Sequence, residues 1–419
     1  MAKHQHARRD DILPVILGGD IGVYGIGRSF HEAFGVRSIA VASAPTEAIT
    51  RSVAFTTEHL PPHADDSVVL GVLRRIASQH RGRHLVLMAN HDLHSAFVAR
   101  HAAELSQWYA LPFPDLDIVD HVTDKAAFQE VCDSLGVPTP ATVLVDMATC
   151  TDPTWVAPEI PFDYPVVAKA ARGDAYDAVD FPGKRKIWFI ESRGELDQLW
   201  STLAAAGFRG TFLVQELVPG DNTQMRSITA YVDSTGTVGL IGSARVLLED
   251  HAPTMIGNPV AMITEPFAQL WADATRILEH TGYRGFANFD VKVDPRDGRA
   301  LFFEVNPRIG RNNWYMSAAG ANPMEPMVAD LVDHAPSAPR QLRAEVLYSL
   351  VPDRLLLHYL RDGALRACVQ GLISAGKRKD PLEYPAEKDL RRRVVVALQK
   401  VNQYRKFRRF YPEATDRSF

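Results

Sequence analysis

The chain has 419 residues, 46% hydrophobic and 23% charged, ordinary globular usage that at about 150 residues per domain gives a prior of about 2.8 units. Lys and Arg number 46 against 50 Asp and Glu, a net charge of −4, which excludes a globally basic nucleic-acid coat and a disordered polyelectrolyte. Three scattered cysteines, Cys132, Cys150 and Cys368, form no C-x-x-C pair, which excludes a zinc ribbon and suggests a reducing, cytoplasmic setting.

Met1 to Asp11 is polar and lacks the apolar stretch of a signal peptide, and no run approaches the ~18 apolar residues of a membrane span. Residues 12–19 read as a buried parallel strand ending in glycines. A helix-like stretch over Gly27–Phe34, a strand at Ser38–Ala42, a helix over 68–80 and a strand at His84–Ala89 follow. This alternation predicts a doubly wound α/β domain over about 1–118. Asp124-Lys125 opens a second unit with a helix that Gly136 ends. Short strands are expected at 165–171, 186–191, 211–217, 226–232, 238–245, 286–294 and 300–305, within a domain over 119–333 whose lid lies at about 160–220. The proline-rich stretch at His334 marks a boundary, and 334–419 reads as a largely helical, basic extension. Between Gly376 and Arg409 stand twelve Lys/Arg and four Asp/Glu, a local +8 against −12 for the rest.

Several chemistries are excluded by their missing motifs. Gly22, Gly25 and Gly27 lack Gly-x-Gly-x-x-Gly spacing, and Gly183-Lys184 and Gly376-Lys377 lack the Ser or Thr of a P-loop. No Gly-x-Ser-x-Gly nucleophile elbow occurs.

The strongest signal is Phe303-Glu304-Val-Asn306-Pro-Arg308, fourteen residues beyond Asp290. On a strand, Glu304 and Asn306 share a face, and Asp290 on a neighbouring strand can join them. Two carboxylates and an amide oxygen form a hard site suited to Mg²⁺ with phosphates, Mn²⁺ being the alternative. Lys169 lies within the apolar strand Pro165–Ala171, where a lysine needs an anion or solvent. It and Lys125 read as phosphate clamps. The segment Arg172–Lys186 reads as a glycine-bearing flap. Leu213-Val-Gln215-Glu216-Leu-Val218-Pro-Gly-Asp221 is a strand leaving through a polar turn. There Glu216 would meet an adenine amino group and the Val218 backbone the ring edge, while Asp221, Asn222 or Thr223 would meet ribose hydroxyls. Arg245 is expected on a strand facing the same cleft. Asp20, after the first strand, reads either as a helix cap or as a contact for a substrate ammonium, and Arg28 either as a surface ion pair or as a contact for a substrate carboxylate. His91-Asp92 occupies the equivalent place after the strand at 84–89. Leu390, Val394, Leu398 and Val401 recur at roughly helical spacing. They read either as the docked face of a helix with a solvated basic side, or as part of an electrostatic landing site for an anionic precursor or a membrane surface.

In this order, Asp-Lys, strand lysine, glycine flap, Gln215-Glu216-x-Val218 hinge, then Asp290 and Glu304-x-Asn306-Pro-Arg308, the chain resembles the ATP-grasp superfamily over about residues 12–325. The resemblance implies ATP between two α+β lobes and Mg²⁺ on Asp290, Glu304 and Asn306. It also implies a carboxylate–amine ligase working through an acyl phosphate. Arg308 and Arg245 are then the catalytic candidates. Lys125, Lys169, Gln215, Glu216, Val218, Asp221 and Thr223 would bind the nucleotide, and Asp20, Arg28 and Arg311 the substrate. Leu17-Gly-Gly-Asp20 through Arg28 is most similar to the D-aspartate ligase group, which loads the lysine side chain of a peptidoglycan precursor. A nucleotide-linked muropeptide is then the implied acceptor, with no nucleic-acid partner. The alternatives are a small-dipeptide ligase or phosphotransferase, and a non-catalytic nucleotide-binding regulator. Asp290 stands where many relatives carry Glu, and Thr223 where several carry an acid.

Overall fold

In the computed structural model, residues 8–171, 176, 178–185, 187–253 and 255–415 are described. Part of the expected flap, Arg172 to Ala175 with Asp177 and Lys186, lies outside them.

The first sheet has five parallel strands, β1 (Ile12–Leu17), β2 (Ser38–Ala42), β3 (Phe55–His59), β4 (His84–Ala89) and β5 (Tyr109–Ala110), in the order β3-β2-β1-β4-β5. Every residue of β1 is buried, as its unbroken apolar run requires. The chain then enters helix α1 (Ile21–Phe34), which starts six residues before the helix expected from sequence. Asp20 caps it by accepting from the Gly22 and Val23 amides, and Gly35, at φ 66°, closes it in the left-handed region.

The glycines of α1 are spacing devices rather than breakers. A Cβ on Gly22 would sit 2.1 Å from Asn90 Nδ2 and 2.9 Å from the Arg311 carbonyl, and one on Gly25 would sit 2.8 Å from Asn313 Oδ1. Their lack of a side chain lets α1 press against the loop that follows the Glu304 strand.

A small antiparallel sheet of β6 (Thr142–Asp146), β7 (Val166–Ala170), β8 (Trp188–Ile190) and β9 (Thr211–Glu216) runs β6-β9-β7-β8. One face packs on Leu196, Leu199, Trp200 and Leu203 of the helix Arg193–Ala205. The central sheet has eight strands. Along its path lie β14 (Ala300–Asn306), β13 (Gly285–Val293), β10 (Met225–Val232), β11 (Val238–Glu249), β12 (Pro259–Thr264), β16 (Leu347–Ser349) and β17 (Arg378–Lys379), and β15 (Arg340–Gln341) pairs β11. Ile228, Ala230, Phe289 and Val291 on one face bury against the helix Ala268–His280, while Tyr231, Phe286 and Leu240 on the other share a core with α1 and the first sheet. The segment beyond 334 therefore adds strands to the central sheet besides its three helices, Asp353–Tyr359, Gly363–Ser374 and Leu390–Phe410.

Gly22→Ala is expected to lower the apparent Tm, because its methyl must displace both Asn90 and a backbone carbonyl, and overpacking of this kind costs about 1–3 kcal/mol. Gly71→Ala, in open space on another helix, is the control in the same thermal melt and should be neutral or stabilising.

Candidate active site

Antiparallel pairing sets Asp290 of β13 opposite Glu304 of β14 and Asn288 opposite Asn306, with a register shift just beyond Asp290. Directly paired residues project from the same face, so two carboxylates and two amides are gathered there. The same face receives Ser227 and Thr229 from β10. Both hydroxyls donate to Asn288 Oδ1, at 3.4 and 3.2 Å, which makes Asn288 part of the framework. Asn306 donates Nδ2 to Asp290 Oδ2 at 3.1 Å and to the Asn288 carbonyl at 3.3 Å, leaving Oδ1 as its remaining ligand atom. Burial holds the Asp290 carboxyl above its usual range, the Glu304 charge adds to the rise, and the Arg308 guanidinium opposes it.

This set fits a divalent cation. The carboxylates already repel one another, the available ligand atoms are all oxygen, and a cation would relieve the repulsion. Among the described residues no cluster of three His, Cys, Asp or Glu gathers to hold a metal. Two carboxylates and one amide oxygen suit an ion that completes its shell with phosphate oxygens and water, the usual habit of Mg²⁺.

Arg308 leaves the end of β14 and donates Nε to Asp92 Oδ1, 2.9 Å away at the start of the helix Asp92–Arg100. Arg311 donates Nε to Asp20 Oδ2 at 2.8 Å, and Asp20 also accepts from Asn90 Nδ2 at 3.2 Å. Asp20 is therefore both a helix cap and an ion-pair partner. These contacts bring the ends of β1 and β4 beside the Asp290–Glu304 pair.

Two sequence expectations fail here. Arg28 is buried and committed to structure. It pairs with Glu32 at 2.8 Å and donates to the carbonyls of Asp380, Pro381 and Glu383, and its guanidinium lies 3.7 Å above the Trp314 ring. It pins the C-terminal segment to α1 and, held there, is not placed to orient a substrate carboxylate. Arg245 pairs in register with Arg226, whereas Ser227, its neighbour on β10, pairs with Asp290. The alternation of strand side chains puts Arg245 on the opposite face from Asp290, with its Nε on the Thr223 carbonyl at 3.0 Å.

On the small sheet, Lys169 stands on β7 opposite Leu213, on the face that also carries Gln215 and Thr142 and that is turned away from the helix Arg193–Ala205. Gln215 Nε2 donates to Thr142 Oγ1 at 2.9 Å. Lys125 is half-buried at the start of the helix Lys125–Leu135, after the Asp124 cap. The Glu216 carboxylate accepts from the Ala141 amide at 3.1 Å and from Arg296 at 3.4 Å, so its side chain is not an open acceptor for an adenine amino group. Asp221 Oδ1 takes both the amide and the hydroxyl of Thr223, at 2.9 and 2.6 Å, so that hydroxyl is already engaged.

Two further residues belong to this site. Lys292, two positions after Asp290, is buried and donates Nζ to the carbonyls of Val218 and Gly220, both at 2.9 Å. Glu249 is buried at the end of β11, where burial and then the Asp290 charge push its carboxyl up to about 7. It accepts from Asn222 Nδ2 at 3.2 Å. The sequence signal for Lys292 is a charged residue inside an apolar strand, the same signal that marks Lys169, whereas Glu249 ends its strand beside Asp250 and gives no such signal.

Asp290→Asn removes one of two opposed charges. It is expected to hold or raise the Tm of the ligand-free protein, since one of two mutually repelling charges is gone. It should also abolish the further rise on adding ATP with Mg²⁺ that the unaltered protein is expected to show in the same scan.

Residues 233–328 match the family model described as the carbamoyl-phosphate synthase L chain, ATP binding domain. Over 410 residues, 96% of this chain and 97% of the other, the sequence is 29% identical to a D-aspartate ligase of Enterococcus faecium (strain Aus0004). The fold is similar to biotin carboxylase from Campylobacter jejuni, with TM-score 0.57 and 17% identity over 80% of this chain and 74% of that one. It is also similar to an L-amino acid ligase from Bacillus licheniformis, with TM-score 0.52 and 18% identity over 79% of this chain and 76% of that one. With the carboxylate pair at the end of the central sheet and a lysine on the small one, the chain has the ATP-grasp fold that these structures share and is similar in sequence, along nearly its whole length, to a D-aspartate ligase.

Proposed function

We propose that the protein uses ATP to join the β-carboxylate of D-aspartate to the lysine side-chain amine of a peptidoglycan precursor. The activity rests on the Asp290, Glu304 and Asn306 set, and similarity to a D-aspartate ligase along nearly the whole chain supports the substrate class. The γ-phosphoryl group passes to a carboxylate oxygen, giving an acyl phosphate and ADP. The amine then attacks the acyl carbon, phosphate leaves, and the nitrogen gives up a proton as the amide forms.

Mg²⁺, or Mn²⁺ in its place, would be held by Asp290, Glu304 and Asn306, and when bound it offsets phosphate charge. Lys169 and Lys125 neutralise phosphate oxygens, and the Val218 amide reads the ring edge. Asp221 retains Oδ2 for a ribose hydroxyl, its Oδ1 being held by Thr223. Arg308 stands over the reacting end, its planar fork suited to a phosphoryl group or carboxylate. Asp20 and Arg311 form a half-buried ion pair that an amino acid can replace group for group, its ammonium on Asp20 and its α-carboxylate on Arg311.

Phosphate release should require ATP, Mg²⁺, D-aspartate and a lysine-bearing muropeptide together. D-alanine and D-asparagine should serve poorly, and product mass should rise by one aspartyl residue. Release with a free amino acid as acceptor, and none with the muropeptide, would place the protein among dipeptide ligases instead. Glu304→Gln should fold normally and lose turnover. Arg311→Ala should raise the donor KM at least about tenfold while moving the ATP KM little, because a stranded carboxylate costs about 2–5 kcal/mol. An Arg28→Ala variant should show its effect as a lowered Tm.

A further inference from the structure

The helix Leu390–Phe410 carries eight Lys and Arg residues and no acid. Its inward side is the charged one. Arg392 is buried, donating to the Ala48 and Leu382 carbonyls beneath the Tyr24 ring, Lys400 pairs with Asp380 and Glu383, and Lys406 pairs with Asp250. Val396 and Phe407 complete the docked side.

The apolar stripe faces out, the reverse of the docked-face reading of the sequence. Leu390 is 73% exposed, Val394 58%, Leu398 61%, Val401 61% and Tyr404 43%. Their steps of four, four, three and three residues align them along one side of the helix, over about 21 Å at 1.5 Å per residue. Arg391 and Arg393 flank the stripe, and Arg405, Arg408 and Arg409 crowd its far end. All five are exposed, and none forms an ion pair among the described residues.

What covers this face must offer negative charge around an apolar layer. A second copy of the helix fails that requirement. Pairing two such faces would set arginine against arginine, with no carboxylate on either helix to answer. A phospholipid surface bearing anionic headgroups meets it, because apolar side chains enter the acyl boundary while the arginines remain at headgroup level. No described helix is long and apolar enough to cross a membrane, so the contact is with the surface. We propose that the outward face of this helix is a landing surface for an anionic lipid bilayer, an inference that does not depend on which amino acid the active site takes.

The test is co-sedimentation of the full chain with phosphatidylcholine vesicles, with and without phosphatidylglycerol as one third of the lipid. Binding is expected only to the anionic vesicles, and high salt should release it as the Debye length shrinks. The double variant Leu398→Glu/Val401→Glu, on solvent-facing positions, should keep its Tm and bind at least about tenfold more weakly. Arg405→Glu/Arg408→Glu should do the same. Absence of binding to anionic vesicles, or full binding by the apolar double variant, would overturn the proposal. So would sedimentation showing a dimer that Leu398→Glu/Val401→Glu converts to a monomer, since the face would then be a self-interface.

Discussion

Two carboxylates set opposite each other on neighbouring strands are the constraint around which this molecule is arranged. Asp290 and Glu304 cannot be moved apart without breaking the β13–β14 ladder. Like charges a few ångströms apart near a protein surface repel by on the order of a few kcal/mol. The protein answers only in part. Asn306 gives Asp290 one neutral hydrogen bond, and Arg308 is near enough to oppose the rise of its carboxyl. Arg308 is nonetheless tied to Asp92 by a direct bond. The residual repulsion favours a cation and disfavours the empty state, so the strain of the free protein and the affinity for a charged ligand have one source.

The same logic separates the arginines of the site into two kinds. Arg28 is buried, and its donors meet a carboxylate and three carbonyls. Removing it would leave buried acceptors stranded at about 1–3 kcal/mol each, so it serves the fold. Arg308 and Arg311 face partners that are substantially exposed, Asp92 and Asp20. Each gives its Nε to a carboxylate that water also reaches, so a change of partner strands fewer buried acceptors than it would at Arg28. A guanidinium that a ligand is to take over must be held weakly beforehand, and burial distinguishes the two kinds where residue type does not.

This explains which parts were legible in the sequence. Alternation along a strand tells which residues share a face, so Glu304 and Asn306 could be paired from spacing alone, and a lysine within an apolar strand marked Lys169. The same alternation does not say which face of a sheet meets which neighbour, and Arg245 was assigned to the wrong one. The helix expected from sequence begins only at Gly27, whereas α1 includes Gly22 and Gly25 as well, although intrinsic propensity disfavours glycine in helices by about 1 kcal/mol each. Their reason is the carbonyl of Arg311 and the side chains of Asn90 and Asn313, about 70 to 290 positions away in sequence. The C-terminal helix inverted for a related reason. Its basic residues find Asp250, Asp380 and Glu383 on the body, and periodicity within one helix cannot see acids on another element.

One strand measures the site from end to end. On β13 the Asp290 carboxylate and the Lys292 ammonium share a face two residues apart, about 6.8 Å along the strand. Lys292 holds the carbonyls of Val218 and Gly220, so the turn after β9 is fixed relative to Asp290 by the rise of two residues. Burial lowers the Lys292 ammonium to about 8, with Glu249 and Asp221 opposing the fall. Glu249 in turn holds Asn222 in that turn. A buried lysine with two carbonyls and a nearby acid is an expensive way to fasten a loop. An apolar contact would fill the same space but would leave the two carbonyls unpaired and the turn free to slide along the strand. The directional bonds of the ammonium set a distance between the turn after β9 and the Asp290–Glu304 pair, and that distance is fixed before any ligand arrives.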